Sequence, residues 1–140
     1  MSAARSVLVV GGGSGIGAAV AASYRDVGVR AIVWDVAGAY DLNCDVRDET
    51  AIEAALTETV ERIGVPNEVT ITAGVGHGGL LLDETVEGWD RVLAINTRGP
   101  LLVMCAVARA LLANKEPGSI VVTSSVSARL VDRAMGTYEL

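Results

Sequence analysis

The residues best suited to chemistry stand near the start of the chain, in Gly11-Gly12-Gly13-Ser14-Gly15-Ile16-Gly17, with a carboxylate, Asp35, further on. Glycines let a backbone turn tightly and bring its N–H groups up to a pyrophosphate. A helix that starts at such a turn adds free N–H groups and the positive end of its dipole. A carboxylate at the end of the following strand can accept hydrogen bonds from both hydroxyls of an adenosine ribose, and it repels a 2′-phosphate. Neither Arg nor Lys occurs at positions 12–14 or 36–39 to hold such a phosphate. The expected ligand is therefore a dinucleotide, NAD in preference to NADP. A structural turn, a phosphate-only loop and a methyl-donor site also begin with such glycines, and Asp35 could be a solvated strand end.

The elements around these residues alternate. Val7–Val10 is four apolar residues long, a buried strand. The Ala-rich run from Ile16 to Val27 follows as a helix, with Gly28 placed as its C-cap. Val29–Trp34 reads as strand two, closed by Asp35. Only Val36–Tyr40 separates Asp35 from Asp41, too little for a crossover helix, so Asp41–Cys44 is expected as a short third strand reached by a loop. Asp45 either meets an adenine edge, beside Val46, or caps the next helix. That helix starts around Arg47–Thr50, carries Ile52, Ala55, Leu56, Thr59, Val60 and Ile63 at helical spacing, and ends at Gly64–Asn67. Glu68–Gly74 is strand four running into a turn, with Ala73 and Gly74 at the cofactor. The loop Val75–Leu82 holds the single histidine, His77, read as solvated. Thr85 is a fair N-cap for a long helix that Asn96-Thr97-Arg98-Gly99-Pro100 should kink and Glu116-Pro117-Gly118 should end. Ser119–Thr123 is strand five.

Strands alternating with helices, and polar residues at the strands' C-terminal ends, predict an α/β fold: one doubly wound parallel sheet with its site along one edge. The 140 residues suit one domain, and the net charge of −6 without a basic cluster argues against nucleic acid. No continuous apolar run approaches the ~18 residues of a membrane span. Cys44 and Cys105 lack metal-ligand spacing and read as reduced thiols of a cytoplasmic protein.

Five motifs in order resemble the short-chain dehydrogenase/reductase family. Gly11–Gly17 is similar to its TGxxxGxG turn, with Val10 for Thr. Thr72-Ala73-Gly74 resembles the end of NNAG, with Ile71 and Thr72 in place of the two Asn. Asn96 followed by Gly99 resembles NxxG, Gly118–Ser125 the segment of the catalytic Ser, and Tyr138 stands thirteen residues after Ser125, where the family has its Tyr. The short link after Asp35 is similar to members with a reduced or absent second helix. The resemblance implies a Rossmann-type sheet, here ending after its fifth strand. It also implies an NAD-dependent oxidoreductase for a secondary alcohol and its ketone, and a dimer or tetramer. Tyr138 would be the general acid/base, Ser125 would hold the substrate oxygen, and Asn96 would hold the helix kink open for a water. The family's YxxxK lysine would fall at position 142, after Leu140. The chain is thus expected to be the N-terminal portion of such an enzyme, inactive alone. The alternatives are a non-catalytic dinucleotide-binding protein and a methyltransferase. The substrate is not legible.

Overall fold

The computed structural model describes residues 5–76, 78–130 and 135–139. His77 lies outside them. Five strands, β1 (Ser6–Val10), β2 (Arg30–Asp35), β3 (Leu42–Asn43), β4 (Glu68–Ile71) and β5 (Ser119–Val122), form one sheet in the order β3-β2-β1-β4-β5. All pairings are parallel; Val7 lies opposite both Ala31 and Glu68, and Glu68 opposite Ser119. This is the doubly wound arrangement expected, with α1 (Gly15–Asp26), α2 (Glu49–Ile63), α3 (Val86–Leu93) and α4 (Gly99–Asn114) on its faces.

The strand alternation divides the core. Leu8 and Val10 face α2 and α4 in a cluster with Ile32, Trp34, Ile52, Ile71, Val103 and Val107. Val7 and Val9 point the other way and pack with Val33 and Ala21 of α1. Successive side chains of a strand leave on opposite faces, so a wholly apolar strand is what a sheet covered on both sides requires. One polar pair enters the core without penalty. The Trp34 indole N–H donates to Thr59 Oγ1 at 2.9 Å, and that hydroxyl donates to Ala55 O at 2.8 Å.

Several boundaries differ from expectation. The C-cap of α1 is Val27, and Gly28 follows it in a left-handed conformation. The third strand shrinks to two residues. Helix α2 is capped by Asp48, whose side chain accepts from Thr50 N and Ala51 N, so Asp45 is not the cap. Helix α4 stops at Asn114, with Lys115 left-handed, before the Pro-Gly pair. The expected kink is a π turn over Ala94–Arg98, and Pro100 follows it in the first turn of α4. Helical structure is therefore continuous over Val86–Asn114. Its 29 residues have a mean hydropathy of 1.3 over an 18-residue window, long and apolar enough to cross a membrane by length and composition. In the fold it is a core helix on one side, burying Val92, Gly99, Val103, Val107 and Leu111.

Candidate cofactor and active site

The chain runs outward from β1 to β2 and β3, then crosses back to β4. Adjacent strands β1 and β4 therefore send their following helices to opposite faces, and a crevice opens above their C-terminal ends. A cleft of about 440 Å³ lies there, lined by Gly11, Ser14, Gly15, Ile16, Gly17, Asp35, Asp45, Val46, Ala73 and Gly74. These are the expected cofactor residues, save Gly13. Gly13 instead fixes the carboxylate: its N–H donates to Asp35 Oδ2 at 2.8 Å, while Oδ1 accepts from Val36 N at 2.7 Å.

The glycine turn contains two kinds of glycine. A Cβ on Gly17 would lie 2.2 Å from Gly11 O and 2.5 Å from Thr72 Oγ1, so this glycine lets α1 press onto the turn and onto β4. Gly15 has φ +52°, and a Cβ there would meet nothing within 4 Å. Helix α1 begins on that open side. Its N-cap Ser14 makes no side-chain cap hydrogen bond, and no acidic residue occupies its first turn. Its positive end is left unneutralised, which suits an anion.

Thr72 was expected only as a departure from the family pattern. It works as a tie: its Oγ1 lies 3.1 Å from Val10 O and 2.9 Å from Gly11 O, and its N–H donates to Val10 O at 2.8 Å. Asp45 pairs with Arg47, Nη2 to Oδ2 at 2.6 Å, and accepts from Arg47 N at 2.9 Å. The guanidinium holds the Asp45 carboxyl below the usual carboxylate range, against the opposing effect of partial burial. Burial, then the charges of Asp45 and Asp48, push the Cys44 thiol up to about 12, so it stays protonated. Arg47 and Arg91 also line the cleft and went unsuspected. Arg47 lies two residues beyond Asp45. Arg91 stands four residues before Ile95 and shares its helix face, a signal that was present in the spacing.

The expected catalytic residues lie outside this lining. Asn96 sits in the π turn and grips one residue at both ends: Nδ2 donates to Val75 O and Oδ1 accepts from Val75 N, each at 2.8 Å. Val75 is part of the cleft wall, so Asn96 reaches the site through it. Ser125 follows β5 and caps a 3-10 turn, Val126–Ala128, accepting from Ser127 N at 3.1 Å. Tyr138 lies in a second 3-10 turn, Gly136–Glu139, which touches both the first turn and α3.

Comparison with known proteins bears on this arrangement. A family model described as enoyl-(acyl carrier protein) reductase matches residues 11–140. Short-chain dehydrogenase reductase 5 of Arabidopsis thaliana is 35% identical over 140 aligned positions, spanning 89% of this chain and 54% of the relative. The chain belongs to the short-chain dehydrogenase/reductase family. Sorbitol dehydrogenase of Cereibacter sphaeroides, at 29% identity, spans 96% of this chain and 57% of its own length. The ligand-free aldohexose dehydrogenase of Thermoplasma acidophilum superposes with a TM-score of 0.86 at 24% identity, covering 96% of this chain and 55% of that one, a likeness of fold. This dehydrogenase/reductase chain thus spans about half the length of the curated relatives it matches. Its family is one of oxidoreductases that use nicotinamide dinucleotides.

Proposed function

We propose that the whole protein is an NAD-dependent oxidoreductase interconverting a secondary alcohol and a ketone, and that this chain carries its cofactor site. One observation supports it above the others: the open Gly15 face and uncapped α1 start lie in a single cleft with Asp35. The residues fit the group. The N–H groups from Ser14 to Gly17 would hold a pyrophosphate. Asp35 already accepts from Gly13, Val36 and Ala37, yet a carboxylate has about four acceptor sites, which leaves one for a ribose hydroxyl. Asp45 and Val46 would border the adenine, and Ala73 and Gly74 the ribose beyond. When bound, the nicotinamide supplies or accepts the hydride.

The chain's own part is the proton. Tyr138 Oη would give it to, or take it from, the substrate oxygen. A free phenol titrates near ~10, so a neighbouring cation must favour the phenolate. Ser125 accepts from Ser127 through Oγ, which leaves its hydroxyl proton to donate to the substrate oxygen and steady developing charge. Asn96 fixes Val75 and the π turn, the opening through which a water would relay protons. Assembly with a second copy is proposed through the outer face of α4, where Leu101 and Leu112 are 54% and 79% exposed.

Titration of the chain with NAD and NADP tests the cofactor site directly. NAD should bind, NADP more weakly, and Asp35→Ala should lose the difference. Equal, weak binding of both by the wild-type chain would overturn the proposal. Turnover by the whole protein, lost in Tyr138→Phe, tests the catalytic part.

A further inference from the structure

We propose that Glu84 is a positioning residue for Tyr138, acting through Thr137. The catalytic meaning of this rests on Tyr138 being the acid/base proposed above; the geometry stands without it. Thr137 directly precedes Tyr138 and is only 2% exposed. Its hydroxyl donates to Glu84 Oε2, and its N–H donates to the same oxygen at 3.4 Å. The other carboxylate oxygen, Oε1, accepts from Thr85 N at 3.0 Å. Thr85 is the cap of α3, its Oγ1 accepting from Gly88 N at 3.0 Å. A Cβ on Gly88 would lie 2.3 Å from Glu84 Oε1, so a glycine one turn into α3 leaves the room the carboxylate occupies.

Gly136–Glu139 is a single 3-10 turn, closed by Tyr138 N donating to Met135 O at 3.0 Å. A parallel bridge between Gly79 and Met135 attaches its leading end to the loop before α3. Short 3-10 segments have poor hydrogen-bond geometry and take their placement from what they touch. Both Thr137 donors converge on one carboxyl oxygen of Glu84. Glu84 therefore references the Tyr138 turn to the start of α3. The other end of α3 runs into the π turn that holds Asn96. One short helix thus sets the positions of two of the three expected catalytic residues.

The full chain labelled with 3-fluorotyrosine gives three ring signals, for Tyr24, Tyr40 and Tyr138, and Tyr138→Phe assigns the third. Glu84→Ala and Thr137→Val should move the Tyr138 signal to its unfolded position while the other two stay. Glu84→Gln and Thr137→Ser, which keep an acceptor and a donor, should hold it near wild type. An unmoved Tyr138 signal in either deleting variant overturns the proposal. So does collapse of all three signals in both, because the tie would then serve the whole fold. In the whole protein, Glu84→Ala should lower kcat on the order of tenfold to a hundredfold with KM for NAD unchanged, and Glu84→Gln should recover most of it. Absence of NAD binding and turnover in the wild type would sink the proposed function and leave the ring signals to decide the role of Glu84.

Discussion

The two halves of the proposed site are built on different foundations. The cofactor half hangs on β1, β2 and β4, whose Val7–Val10 segment is fully buried, and its turn is wedged by Gly17 against Thr72. The catalytic half is spread over the π turn that carries Asn96 and the two 3-10 turns that carry Ser125 and Tyr138. Local opening is easiest where few apolar contacts and short ladders hold a segment. The floor proposed for the cofactor is therefore built into the sheet, while among the described residues polar ties hold the groups proposed for proton transfer. A substitution in the first half should act on stability and binding together. One in the second should act on turnover with the fold intact.

The hardest test of that contrast is Gly17→Val against Tyr138→Phe. Valine at 17 meets Gly11 O and the Thr72 hydroxyl, both anchored to β1 and β4. Overpacking of this kind against backbone costs about 3 kcal/mol, and urea unfolding should show it, together with loss of NAD binding. Tyr138→Phe should change stability by less than ~0.5 kcal/mol and abolish turnover of the whole protein. Equal stability losses in the two variants would erase the distinction. Next in size is Asp35→Ala. Losing hydrogen bonds to ribose hydroxyls costs about 1–2 kcal/mol, so NAD affinity should fall roughly fivefold to thirtyfold in calorimetry, with NADP less affected.

Gly15→Ala sharpens the same line from inside one turn. Its left-handed backbone makes alanine cost about 1 kcal/mol, but the methyl group points into open space. Affinity for NAD should therefore drop by more than stability does, the reverse of a wedge. Beside it stand the two helix starts. Asp48 caps α2 and accepts two N–H groups, so Asp48→Ala should cost about 1 kcal/mol in thermal or urea unfolding. Ser14 makes no cap bond, so Ser14→Ala should leave stability unchanged.

These contrasts also mark how far the sequence could be read. The strands, their order of appearance and the short link after Asp35 followed from apolar runs and loop length, because a buried parallel strand must be apolar on both faces. The residues that line the cleft could be grouped from the sequence because the turn and Asp35 are positioned by local chain direction. Asp45 was open between two roles; the helix cap went to Asp48, since only a residue directly before the first turn can reach its N–H groups. The interruption before Pro100 was visible, but not its form. The π turn is held by Asn96 on Val75, a contact across 21 positions. Glu84 on Thr137 spans 53 positions and left no local trace at all. The second half of the site is thus the harder to read for the same reason that it is the more loosely held: its geometry rests on long-range polar ties.

The smallest effect expected concerns pH, and it separates the cleft's rim from its floor. Arg47 keeps the Asp45 carboxyl below its ordinary range in the folded chain. A carboxylate so depressed adds stability that is fully present above the unfolded value and is lost as pH falls through the folded one. Both partners are partly exposed, so solvent screening keeps the contribution below ~1 kcal/mol. Going from about pH 6 to about pH 3, the wild type should therefore lose slightly more stability than Asp45→Asn, and added salt should shrink the difference. NAD affinity measured over the same range decides whether the pair also serves the cofactor. A fall in affinity that tracks the titration, absent in Asp45→Asn, would place Asp45 at the ligand. A change in stability alone would leave it as a tie that shapes the loop between β3 and α2.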